Sequence, residues 1–134
     1  MAYGGSTGQG KIHFKAGRLT AAQVNAGTRV IPPRADKKLM IVGGQLVAIG
    51  GAAATATSVD VNDTTGTPVV GVAVACTAMT ENTQMDFDAA SNVTRTTYRA
   101  PFAAGKGIQV IKGGSDLATA THVDYYIEYV YVNL

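Results

Sequence analysis

The chain has 134 residues, enough for one domain that buries roughly two thirds of its unfolded surface. Hydrophobic residues make up 46% and charged residues 15%, which excludes a disordered body, and a single cysteine excludes a disulfide framework within the chain. The net charge of +2 conceals an uneven layout: residues 1–38 carry Lys11, Lys15, Arg18, Arg29, Arg34, Lys37 and Lys38 against Asp36 alone, whereas residues 39–94 hold five acids and no Lys or Arg.

In chain order, Gly4, Gly5, Gly8 and Gly10 predict a flexible start. Residues 1–27 therefore read as a flexible basic arm, and residues 28–134 as one β-sandwich domain. Within the arm, residues 11–15 alternate, with Lys11, His13 and Lys15 on one side and Ile12 and Phe14 on the other. That pattern predicts a short strand able to add to an exposed sheet edge. Residues 19–24 suit a helical turn that Asn25-Ala26-Gly27 ends.

A strand over 28–31 stops at Pro32-Pro33, because proline cannot donate to a ladder. Residues 38–49 read as a long apolar strand with a bulge or bend at Gly43-Gly44. Residues 57–62 and 68–76 alternate on either side of the turn Asp63-Thr64-Thr65-Gly66, which predicts a hairpin. Short strands follow at 84–87, 92–95 and 107–111. The last strand is the clearest: Val123, Tyr125, Ile127, Tyr129 and Tyr131 share one face, and His122, Asp124, Tyr126 and Glu128 the other.

About eight strands without a long helix predict an all-β, antiparallel two-sheet sandwich, preferably a jelly roll, behind an extended N-terminal arm. Its core is expected to be thin. Ala, Gly and Thr supply 21, 16 and 16 residues, and Trp is absent. Burial stabilises by roughly 25 cal/mol per Å², so small side chains contribute little each, and stability shared with a partner is expected.

Candidate chemistry is sparse. Nucleophilic catalysis needs an oriented base beside the nucleophile; the histidines are His13 and His122, and Cys76 ends an apolar strand face, as a small buried hydrophobe would. No catalytic residue, cofactor site or metal site is assigned. Asp60-Val61-Asn62-Asp63 and Asp86-Phe87-Asp88 gather oxygen ligands near turns but match no calcium loop. Basic residues spread over 38 positions, with Tyr3 and Phe14 for stacking, fit an acidic protein surface better than nucleic acid, so no direct nucleic-acid binding is expected. Tyr125, Tyr129 and Tyr131 read as core or subunit interface before a sugar platform. No apolar run is long enough for a membrane span and Met1-Ala2-Tyr3-Gly4 opens no signal segment, so synthesis and assembly in a reducing cytoplasm are expected.

Several segments together resemble a known group. They are the strand into Ile31-Pro32-Pro33-Arg34, the long strand with its Gly-Gly, the Ala/Thr loop, the Val-Asp-Val-Asn-Asp-Thr-Thr-Gly hairpin, Leu117-Ala118-Thr119-Ala120-Thr121, and the final Val-Asp-Tyr-Tyr-Ile-Glu-Tyr-Val strand. Over residues 28–132 this layout resembles jelly-roll decoration, or cement, proteins of tailed-bacteriophage heads. The resemblance implies a non-enzymatic virion protein on the outside of an HK97-type shell. Such a protein bridges neighbouring major capsid proteins, often as a dimer or trimer, and is assembled in the host cytoplasm. On that reading Lys11, Ile12, Phe14, Lys15, Arg18, Arg29, Arg34, Lys37 and Lys38 contact the shell, and removal of residues 1–27 weakens binding while leaving the body folded. The alternative is a carbohydrate- or receptor-binding sandwich module of a phage fibre or spike.

Overall fold

Period-two alternation of β-branched and small residues yields strands with one apolar face, and two such sheets bury those faces against each other. The structure, a computed structural model, describes residues 11–63, 71–88, 93–96 and 101–133. The described elements are β1 (His13–Thr20), α1 (Ala21–Ala26), β2 (Thr28–Ile31), β3 (Lys37–Ile49), β4 (Ala56–Asp63), β5 (Gly71–Ala75), a 3₁₀ turn (Cys76–Ala78), β6 (Gln84–Asp86), β7 (Val93–Thr96), β8 (Ile108–Gly114) and β9 (His122–Asn133). One sheet has the order β1-β9-β3-β6 and the other β2-β8-β4-β5-β7, with antiparallel neighbours throughout. The interleaving 1-9-3-6 over 2-8-4-5 is that of a jelly roll, with β7 added beside β5.

The core lies between the sheets. Val123, Tyr125 and Ile127 of β9 and Leu39, Ile41, Leu46 and Ala48 of β3 face Val59 and Val61 of β4, Val72 and Val74 of β5, and Ile108 and Val110 of β8. The expected hairpin is present, with Val59 opposite Val74 and Val61 opposite Val72. Most of its turn lies outside the described residues. The expected bulge falls between Ile41 and Gly43. It shifts the inward parity of β3 by one residue, so Leu39 and Ile41 before it and Leu46 and Ala48 after it all reach the core. Gly44, at φ +146°, lies under the Phe87 ring, and the Phe87 N–H donates to the Gly44 carbonyl at 3.0 Å.

The predicted arm over residues 1–27 is corrected from His13 onward. β1 pairs with β9 from His13 opposite Tyr129 to Thr20 opposite His122. Leu19 and Val24 are buried core residues. Thr20 caps α1, its hydroxyl accepting from the Gln23 N–H at 3.2 Å while Gln23 Oε1 accepts from the Thr20 N–H at 2.8 Å. The alternation read as an add-on strand is satisfied within the chain, because β9 has a second edge to fill. Residues 1–10 lie outside the described residues.

Candidate partner-binding surface

Registration brings the chain's dispersed cations together. β1 begins at His13, β3 begins at Lys37 opposite Asn133 near the end of β9, and β2 ends at Ile31 opposite Ile108, where β8 begins. Residues 11–13, 32–38 and 101–107 therefore share one end of the sandwich. The Phe102 N–H, donating to the Leu39 carbonyl at 2.7 Å, ties the segment before β8 to the start of β3. Lys11, Arg29, Arg34, Lys37, Lys38 and Lys106 lie on the segments at this end, with Asp36 and Asp63 as counter-charges.

Each cation has a local reason for its place. The Arg29 stem runs over Gly107 beside Pro33, where any larger residue at 107 would collide with it. Arg34 forks onto Asp36 (Nε–Oδ1 3.1 Å, Nη2–Oδ2 2.8 Å) and lies 4.7 Å over the Tyr131 ring. That guanidinium holds the Asp36 carboxyl below the usual carboxylate range. Lys37 Nζ donates to Asn133 Oδ1 at 2.6 Å. Beneath Arg34 is an aromatic shelf: His13 stacks on Tyr129 at 5.5 Å and meets Tyr131 edge-on at 5.2 Å, and the two tyrosines are T-shaped at 5.7 Å. Burial, with Tyr131 alongside, pushes the Tyr129 phenol up, so that phenol stays protonated at physiological pH.

The other named residues fall elsewhere. Arg18 lies toward the opposite end of β1, forked onto Asp124 (Nε–Oδ1 2.6 Å, Nη2–Oδ2 3.0 Å), and its charge is neutralised there. Lys15, opposite Ile127, is exposed in mid-strand. Ile12 and Phe14 are 59% and 66% exposed, Phe14 leaning on Tyr126 at 5.7 Å. Tyr125 belongs to the core, its ring beneath Gly17 of β1, whereas Tyr129 and Tyr131 are half-buried. The tyrosine stripe thus divides into one core residue and two shelf residues, with His13 covering part of the shelf.

Cys76 is buried, and desolvation together with the nearby Asp60 carboxylate pushes its thiol up to about 11, so it is held as an unreactive thiol at neutral pH. Asp60 is itself raised by burial, against a hydrogen bond from Ser58 Oγ at 2.7 Å. Asn62 accepts from Gln109 Nε2 at 3.0 Å, and the same amide reaches the Asp63 carbonyl at 3.1 Å, which spends this cluster on holding β4 to β8. Among the described residues no three His, Cys, Asp or Glu side chains group as a metal site. On the outer face of the β1-β9-β3-β6 sheet, a notch floored by Gly43 and Gly44 is walled by Gln45, Asp86, Asp88, Tyr126 and Glu128.

His13, Lys106 and Asn133 enter the basic end although sequence reading left them out. They lie up to 120 positions apart (His13 to Asn133), and only strand register joins them. No family model, no curated protein and no solved structure matches this chain.

Proposed function

We infer that this chain is a structural virion protein, a decoration or cement protein that binds the outside of an HK97-type phage head and bridges neighbouring major capsid proteins. The observation that carries this reading is the concentration of Lys11, Arg29, Arg34, Lys37, Lys38 and Lys106 at one end of a sandwich whose described acids, Asp36 and Asp63 apart, lie along the sheets and at the far end. Such an end steers toward and grips an acidic surface. Repetition over a lattice turns individually weak contacts into firm attachment, because once one contact forms the next is effectively intramolecular. No catalytic role is assigned, and the protein is placed on the outer capsid surface after assembly in the host cytoplasm.

Reversing Lys11, Arg29 and Lys38 together to Glu is expected to lower binding to purified undecorated shells by about a hundredfold or more. Wild-type binding is expected to fall as salt is raised, because exposed charges are screened beyond about 10 Å at 0.1 M. Co-sedimentation with shells measures both, and circular dichroism checks that the variant folds. Binding unchanged by the triple reversal contradicts the reading.

A further inference from the structure

Among the described residues the β1 edge is open. Its eight residues bond to β9 on one side only, and no described strand covers the other. It also displays the two most exposed large apolar side chains among the described residues, with Phe14 within the strand and Ile12 just before it. Lys11 and Lys15 mark this edge as basic, Arg18 being paired with Asp124, which disfavours pairing of β1 with a second β1, since like charges set opposite each other repel. The edge fits an extended segment that is acidic and runs antiparallel to it.

The opposite edge of the same sheet supplies one. β6 is short and carries exposed Gln84 and Asp86, with Glu81 before it and Asp88 after it. Strand direction alternates across β1-β9-β3-β6, and with four strands β6 runs opposite to β1. A second copy displaced sideways along the sheet therefore brings its β6 antiparallel to β1, with the outer faces of both copies on the same side. Register sets the heights. Asp86 pairs with Gln45, Gln45 with Tyr126, and Tyr126 with Ala16. At level registration the second copy's Asp86 stands opposite Ala16 and its Asp88 reaches the height of Phe14, all four on the outer face, while Lys15 points to the inner face at the height of Phe87. Phe14 is also level with Glu128 and Gly43, the floor of the outer notch, which in the second copy lies one strand beyond β6.

We propose that copies of this chain assemble head to tail, the basic β1 edge of one docking on the acidic β6 edge of the next to continue the sheet. The contact is heterologous, so successive copies form a ring where the rotation between them closes and an open filament where it does not. This proposal stands apart from the capsid reading, because it concerns copies of the purified chain alone.

Sedimentation of the purified full chain tests it. The wild type is expected to be oligomeric at low salt and to dissociate as salt is raised. Ala16→Glu sets a carboxylate opposite Asp86 and Asp86→Lys adds a cation to face the basic edge; each is expected to weaken self-association about tenfold or more. The double variant A16E/D86K sets opposite charges across the contact and is expected to reassemble. Both positions are exposed, and thermal melts establish that all variants fold. A monomeric wild type, single variants that associate as the wild type does, or a double variant as monomeric as the singles would each overturn the proposal.

Discussion

Deletion of residues 1–27 is expected to abolish the cooperative fold. It removes all of β1 and α1, strips the ladder from one whole edge of β9, and takes Leu19 and Val24 out of the core. Val123, Tyr125 and Ile127 lose the neighbours that cover them on that side. Truncating one large buried aliphatic residue costs about 2–5 kcal/mol, and a domain has only about 5–15 kcal/mol in total. A core made mostly of Val, Leu, Ile and Ala, with few aromatic rings, has little reserve to absorb such a loss. A chain beginning at Lys11 retains β1, α1 and their pairing with β9, and is expected to melt cooperatively. Thermal and urea unfolding of the two truncations measure the difference. A cooperative transition in the shorter chain would show that β1 is a detachable arm after all.

Gly44→Ala is expected to be strongly destabilising. Gly44 sits at φ +146°, where an L side chain is strained, and a Cβ there would run into the Tyr126 carbonyl oxygen and come within 2.6 Å of the Phe87 ring. The carbonyl is backbone in the centre of the sheet and Phe87 is fully buried, so neither yields easily. Backbone strain of about 1–3 kcal/mol and overpacking of about 1–3 kcal/mol act together, for an expected loss of about 2–5 kcal/mol in urea unfolding. Gly105→Ala is the control. Its φ is +80° but nothing lies within 4 Å of its Cβ position, so it keeps only the strain and is expected to cost about 1 kcal/mol. Equal losses for the two would remove the packing role assigned to Gly44.

Period-two patterning made the sheets readable in advance. The alternation in β9 and the β4–β5 hairpin identified both the strands and their inward faces, because burial on one side of an antiparallel sheet imposes that spacing directly. The doubled glycine at 43–44 likewise announced a bulge. What patterning could not give was the fate of residues 13–27. Leu19 and Val24 are isolated apolar residues among polar neighbours, and β1 shows an exposed face because it is an edge strand. A basic edge strand and a basic arm have the same composition; only the unfilled flank of β9 separates them.

The candidate surface was legible in kind but not in membership. The charge excess in residues 1–38 pointed to a gripping surface, but sequence order implied a tail, whereas the fold makes it one end of a solid body. Arg18 leaves the set because β1 carries it toward Asp124, and Lys106 joins because β8 starts beside the end of β2. His13 acquires a role from Tyr129, which stands opposite it across the β1–β9 ladder and 116 positions away in the chain. Spacing along a chain carries no information about such pairs when topology alone decides them.

Copy number in purified particles tests the cement role most directly. Virions of the phage that encodes this chain, banded on a density gradient, allow the protein to be quantified against the major shell protein. A near-stoichiometric ratio is the expected result. A few copies per particle, or none, would contradict a cement role.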